Sequence, residues 1–194
     1  MPYSTIFSFD AIGTHWEINF SLDKKREVII LQKIKDLIEI FDKNYSRFRA
    51  DSLITKISKD KGTYKMPDDF DRLFDVYLNL FQKTNGLFTP LIGSTLESAG
   101  YDNTYSLQSK NVVSPESFDN VVSYKETMLT TTSPVMLDFG AGGKGYLVDL
   151  VGNLLKSEKI SNFLIDAGGD MLHHGALDEK IKVGLENPLN TKQV

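Results

Sequence analysis

Residues 134–149 read Pro134-Val135-Met136-Leu137-Asp138-Phe139-Gly140-Ala141-Gly142-Gly143-Lys144-Gly145-Tyr146-Leu147-Val148-Asp149. An apolar run closes at Asp138, four glycines and one lysine fall within residues 140–145, and an apolar run of helical spacing begins. The pattern predicts strand, glycine turn, helix. Glycine has no Cβ, so such a turn lets backbone approach a ligand closely. The N–H groups at a helix start attract an anion. Lys144 adds a mobile positive charge and Asp138 a fixed negative one, so a phosphate-bearing ligand is the expected occupant.

Which phosphate motif this is can be tested residue by residue. The pattern G-x-x-x-x-G-K-[ST] fails twice: Asp138 stands at its first glycine, and Gly145 follows Lys144. The dinucleotide fingerprint G-x-G-x-x-G fits literally at Gly140, Gly142 and Gly145, with Asp166 placed to meet a ribose hydroxyl. Against it stand the lysine inside the fingerprint and the short stretch of chain left for a six-stranded cofactor domain. A third reading is a ligand-free turn whose glycines serve helix–sheet packing.

Outward from this segment, residues 3–9 and 15–21 alternate and flank Ala11-Ile12-Gly13-Thr14, which predicts a hairpin. Ile30, Ile34, Leu37, Ile38, Phe41 and Tyr45 predict an amphipathic helix over 24–43. Asp51 or Ser52 is placed to cap a short helix running to Ile57. Pro67-Asp68-Asp69 opens a second long helix with Phe70, Leu73, Phe74, Tyr77, Leu78 and Phe81 as its core face, closed by Asn85-Gly86. Residues 87–110 predict an ordered loop with a little helix, forming part of a site. Strands are expected near 119–124, 127–131, 135–139, 162–166, 171–174 and 180–186, with a helix over 143–157. No repeat or linker divides the chain, so a single domain over 1–194 is expected.

Bulk properties narrow the function. The 194 residues carry a net charge of −4 and are 41% hydrophobic and 25% charged, as in a water-soluble globular domain. No basic tract supports nucleic-acid binding. With no cysteine there is no disulfide or thiolate metal site. No run of about 18 apolar residues predicts a membrane span, and no signal segment or lipid-attachment cysteine opens the chain, so a cytoplasmic protein is expected. Among single residues, Asp149 is expected to make a structural hydrogen bond, and Asp166 and Asp170 to form a turn. His173 and His174, adjacent on a strand, point to opposite faces and are expected to face solvent. His15 and Trp16 should pack or hydrogen-bond within the first hairpin. Tyr45 and Phe48 are each placed either to stack on an aromatic ligand or to join the core.

Several separated segments together resemble the ApbE family, the FAD:protein FMN transferases. Ile12-Gly13-Thr14 is similar to the family's Met-Gly-Thr, with Ile12 in place of Met. Ser46-Arg47-Phe48 with Asp51-Ser52 resembles its Ser-x-Tyr/Phe and Asp-Ser stretch. Gly86-Leu87-Phe88-Thr89-Pro90 is similar to its Gly-x-Phe-Asp-x-Thr loop, with Thr89-Pro90 replacing the Asp. Leu137 to Asp149 resembles Leu-Asp-Leu-Gly-Gly-x-Ala-Lys-Gly-Tyr-Ala-x-Asp, and Gly168-Gly169-Asp170 and Glu186-Asn187-Pro188 follow in order.

The resemblance implies an α+β fold, mainly antiparallel sheet with packed helices, in an ApbE-like (T-fold-like) domain. It implies FAD as substrate, Mg²⁺ bridging its pyrophosphate, and transfer of FMN to a threonine of an acceptor flavoprotein with release of AMP. By the same resemblance Asp138 and Lys144 contact FAD, Ile12, Phe48, Phe88, Thr89 and Pro90 line the flavin and adenosine regions, and the Ala141 carbonyl serves the metal. No catalytic residue is implied. The family's pattern continues beyond the Asn-Pro strand to further metal ligands. Relative to that pattern the sequence is expected to be C-terminally incomplete, to bind FAD weakly, to transfer FMN poorly or not at all, and to self-associate through a sheet edge. Storage of FAD and its hydrolysis to FMN and AMP stand beside transfer as expectations, with a nicotinamide-dependent oxidoreductase behind them.

Overall fold

The computed structural model describes residues 3–176 and 183–184. Of the expected strand at 180–186 only residues 183–184 are described, and the Asn187-Pro188 pair lies outside the described residues. Strands β1 (Thr5–Ala11) and β2 (Thr14–Phe20) form the predicted hairpin. Its two turn residues, Ile12 and Gly13, have φ of 43° and 77°. Positive φ at both central positions matches the twist of a tight hairpin, but it suits glycine, and a β-branched Ile12 there is strained.

β2 continues into β6 (Phe163–Ala167) and β6 into β7 (Asp170–His174), giving a four-stranded antiparallel sheet in the order β1-β2-β6-β7. Trp16, Ile18 and Phe20 lie in register with Ala167, Ile165 and Phe163, and all six side chains are fully buried. A slip of one residue would turn this apolar face outward. Helices α1 (Lys24–Tyr45) and α6 (Gly140–Ser157) pack together, and α6 lies on β6 and β7. The helix α1 buries Ile30, Ile34, Ile38, Phe41 and Tyr45, one stripe of its surface. Asp23 caps it through Arg26 N–H.

Helix α2 (Leu53–Ile57) is capped by Ser52, whose Oγ accepts from Thr55 N–H at 3.0 Å. Strands β3 (Gly62–Lys65), β4 (Val122–Lys125) and β5 (Met128–Thr131) form a second antiparallel sheet in the order β3-β5-β4. Phe70 and Phe74 of helix α3 (Phe70–Lys83) pack their rings on Tyr124, tying this sheet to the core. Asn85 and Gly86, both at positive φ, end α3 as expected, with Gly86 N–H donating to the Phe81 carbonyl. The 87–110 region holds a 3₁₀ turn (Pro90–Ile92) and helix α4 (Gly93–Ser98). The α+β architecture of mainly antiparallel strands and packed helices is the one expected.

Three local expectations are corrected. Residues 135–139 belong to no sheet: Val135, Leu137, Asp138 and Phe139 are buried, but Asp138 N–H donates to the Pro90 carbonyl at 2.8 Å and the Phe139 carbonyl accepts from Gly142 and Gly143 N–H at the start of α6. The glycines at 140–145 form no turn; they are the first turns of α6 itself. Residues 118–121 form a single helical turn, α5 (Phe118–Val121), before β4 begins. Strand β3 was not expected at all.

Candidate functional site

The N-terminal end of α6 faces a cleft of about 690 Å³. Ile12, Gly13 and Thr14 of the β1–β2 turn form one wall, Tyr45 to Arg49 another, and Tyr101 and Tyr105 overhang the mouth. Asp138, Phe139, Gly140, Gly143 and Lys144 form the floor. Of the residues singled out from sequence, the structure therefore brings together Ile12, Phe48, Asp138 and Lys144. Phe88, Thr89, Pro90 and Ala141 are not among the lining residues. Phe88 packs on Tyr77 with ring centroids 5.2 Å apart, and Thr89 is buried with its Oγ1 accepting from Leu91 N–H. Pro90 acts through its carbonyl, which holds Asp138 N–H.

Of the glycines at 140–145 only Gly140 is tightly enclosed, since a Cβ there would stand 3.0 Å from Asp138 Oδ1. A Cβ on Gly142 would stand 3.4 Å from the Tyr77 ring, and one on Gly143 would stand 3.7 Å from Phe41. A Cβ on Gly145 would meet nothing within 4 Å. The N–H groups at this helix start are partly engaged rather than free. Gly140 N–H donates to Asp138 Oδ1 at 2.7 Å, and Gly142 N–H to the Tyr77 hydroxyl at 3.0 Å. Burial raises the Tyr77 hydroxyl pKa, opposed by that Gly142 N–H, so it stays a neutral phenol that accepts. The protein thus supplies its own anion, Asp138, at the site where the sequence suggested an external one.

Asp138 is paired. Its Oδ2 accepts from Arg47 Nε at 2.5 Å, and both side chains are less than a tenth exposed. Arg47 Nη2 also donates to the Tyr101 carbonyl at 2.8 Å, and its guanidinium lies 4.1 Å from the centre of the Phe48 ring. Arg47, Tyr101 and Tyr105 were missed in the sequence as site residues. The available signal was an arginine directly before an aromatic residue where the helical pattern breaks. Lys144 is the cation on the opposite side, with Nζ 3.6 Å from Asp170 Oδ2, too long for a hydrogen bond and partly exposed. Tyr45 belongs to the core: it is buried, its hydroxyl donates to Asp69, and burial followed by the Asp69 charge pushes its pKa up.

Other single residues fall as follows. His15 Nδ1 meets Asp10 at 2.9 Å, and Trp16 Nε1 donates to the Ala11 carbonyl, both within the first hairpin. Asp166 Oδ1 accepts from Gly169 N–H in the two-glycine turn, a structural role. Asp149 is exposed on α6, with no hydrogen bond reported among the described residues. His173 and His174 are half-buried rather than solvent-facing, and His173 Nε2 is buried with no hydrogen-bond partner. The dinucleotide-fold reading is corrected as well: it requires a parallel strand–turn–helix unit, whereas among the described residues both sheets are antiparallel and no strand runs directly into α6.

A magnesium ion prefers several oxygen ligands in near-octahedral array. Among the described residues no three histidine or acidic side chains converge to hold a metal. Asp138 is committed to Arg47 and Gly140, and Ala141 lies in the first turn of α6, where its carbonyl belongs to the helical ladder. The described donors do not fit a magnesium site.

The ApbE family profile matches residues 12–194. The chain belongs to the ApbE family. The FAD:protein FMN transferase of Escherichia coli K12 is 20% identical over 202 residues, covering 95% of this chain and 57% of that protein. That of Buchnera aphidicola subsp. Schizaphis graminum is 22% identical, covering 83% and 51%. Among solved structures, the ApbE flavin transferase of Vibrio cholerae superposes with a TM-score of 0.73 at 18% identity, covering 88% of this chain and 59% of that one. The apo ApbE flavinyl transferase of Pseudomonas stutzeri gives a TM-score of 0.71 at 19% identity, covering 90% and 62%. The chain spans about half to three-fifths of the length of these ApbE relatives. Among the described residues no helix is long and apolar enough to cross a membrane.

Proposed function

We propose that this chain carries the flavin-binding part of a transferase that moves FMN from FAD to a threonine hydroxyl of an acceptor flavoprotein. The threonine oxygen attacks the phosphorus of the FMN half. The bond from that phosphorus to the bridging oxygen breaks, AMP leaves with that oxygen, and the threonine proton passes to solvent. The observation that carries the reading is the cleft at the start of α6, which the aromatic ring of Phe48 and the lysine Lys144 line together in an ApbE-family chain. Its volume of about 690 Å³ suits a drug-sized or larger ligand with planar rings. Lys144 offers a point charge to a pyrophosphate oxygen, and the Arg47–Asp138 pair holds the floor in place.

Magnesium belongs to this reading as the charge that phosphoryl transfer calls for. The described residues provide no ligand set for it, and no step above runs through it. The deciding experiment incubates the protein with FAD, Mg²⁺ and a threonine-bearing acceptor. FMN mass on the acceptor supports transfer; free FMN with AMP indicates hydrolysis; unchanged FAD indicates a binder. Lys144→Met should weaken FAD binding in calorimetry without lowering the melting temperature, and unchanged affinity refutes the role given to Lys144. Self-association through the edge of the four-stranded sheet is a separate proposal, refuted by a concentration-independent monomer in sedimentation.

A further inference from the structure

Phe48 stands at the mouth of the cleft with its ring already occupied. Arg47 lies over it at 4.1 Å, and Tyr105 stacks on it with centroids 5.5 Å apart and planes 13° from parallel. Tyr101 meets both rings edge-on, at 5.5 Å from Phe48 and 5.4 Å from Tyr105. A planar ring that stacks on Phe48 must displace one of these covers. Arg47 is pinned by Asp138 and by the Tyr101 carbonyl and is nearly fully buried. Tyr105 is half exposed.

The loop that carries Tyr105 is built with some care. Asp102, itself buried, accepts four hydrogen bonds: Thr104 N–H and Oγ1 and Ser106 N–H on Oδ1, and Ser106 Oγ on Oδ2, at 2.7–3.0 Å. Leu107 N–H closes the loop on the Gly100 carbonyl. Tyr105 and Leu107 hold φ of 51° and 52°, a left-handed backbone that side chains such as these adopt only when the surroundings impose it. The knot around Asp102 is that imposition, and its product is a tyrosine laid flat on Phe48.

We propose that Tyr105 is an internal plug: it occupies the place on Phe48 that a ligand's planar ring takes, and Asp102 is the positioning residue that holds it there. The inference rests on the flavin-binding reading for the identity of that ring. It makes Tyr105 a determinant of entry, since a ring must out-compete one aromatic pair before it can seat. Apparent affinity is reduced by the fraction of protein that is plugged, and one aromatic pair corresponds to about a two- to tenfold effect.

The test compares the unaltered protein with Tyr105→Asn, which removes the ring yet tolerates the left-handed backbone. Two probes are used: anilinonaphthalene sulfonate, a planar anionic dye, by equilibrium fluorescence, and FAD by stopped-flow quenching. The variant should bind the dye about two- to tenfold tighter and take up FAD faster by a similar factor. The dye gain should vanish in the double variant Tyr105→Asn, Phe48→Ala. Asp102→Asn should move both readings the same way by a smaller amount, with the melting temperature of the domain unchanged. Unchanged dye binding in Tyr105→Asn, or slower FAD uptake, overturns the plug. A dye gain with no FAD binding by any form upholds the plug and refutes the flavin reading, while equal FAD binding by all forms without a dye gain does the reverse.

Discussion

Removing Arg47 isolates the energetics of the cleft floor. Its guanidinium and the Asp138 carboxylate form a charge-assisted contact at 2.5 Å, with 5% and 8% of their side chains exposed. In Arg47→Met the carboxylate keeps Gly140 N–H but loses its counter-charge. Breaking a buried pair from one side costs about 3–5 kcal/mol. For a chain of this length each kcal/mol lowers the melting temperature by about 2–4 °C, so a fall of roughly 10 °C is expected. Adding Asp138→Asn removes the stranded charge while an amide oxygen can still accept from Gly140 N–H. The double variant should therefore recover more than half of the loss, about 2 kcal/mol, and the coupling exceeds that recovery by the cost of Asp138→Asn alone. Thermal and urea unfolding followed by circular dichroism supply the four corners of the cycle. Strictly additive costs, or a single-variant loss below about 1 kcal/mol, would mean that the pair is solvated and the reasoning is wrong.

Tyr77→Phe deletes the hydroxyl that accepts from Gly142 N–H and should cost about 1–2 kcal/mol in urea unfolding. Gly145→Ala meets open space and Gly145 does not line the cleft, so it should raise stability by up to about 1 kcal/mol with FAD affinity unchanged; a fall in stability in urea unfolding would refute this. The Asp102 carboxyl is held below the usual carboxylate range, first by its Ser106 hydroxyl and backbone bonds and then by Thr104. Its contribution is therefore complete above the unfolded value of about 3.9 and declines as pH falls from there toward the lower folded value. The protection of residues 101–107 from amide exchange, taken relative to the intrinsic rate at each pH, should be constant above about pH 4 and fall below it; a loss of protection near neutrality would refute the assignment.

The sequence was most legible where burial is periodic over a long stretch. The stripe from Ile30 to Tyr45 on α1 and the paired core faces of β2 and β6 follow directly from it. β3 was invisible because it has four residues, Gly62 to Lys65, and is stabilised by β5 far along the chain. At 135–139 an apolar run was read as a strand: its burial suits a strand in the interior, but only a partner strand makes a ladder, and among the described residues this segment has none. The glycines misled for a related reason. Propensity argues against helix there, and the hydrogen bonds from Gly140 and Gly142 N–H to Asp138 and Tyr77 override it. The lining of the cleft was legible at Ile12, Phe48, Asp138 and Lys144. Arg47 was not, since its significance is a partner 91 residues away.

The glycine-rich start of α6 has a consequence for how the domain breathes. Four glycines within the first six positions of the helix forgo about 3–4 kcal/mol of helix preference relative to alanine. That end persists through what its neighbours supply, Asp138 and Tyr77 among them, while the distal turns carry Leu147, Val151 and Leu155 into the core. One helix therefore joins a firm half to a half that opens readily, and the cleft lies against the second. A ligand seated there would act as a splint for the opening half, so its arrival should be visible as slowed amide exchange at residues 140–145 with little change beyond Leu147.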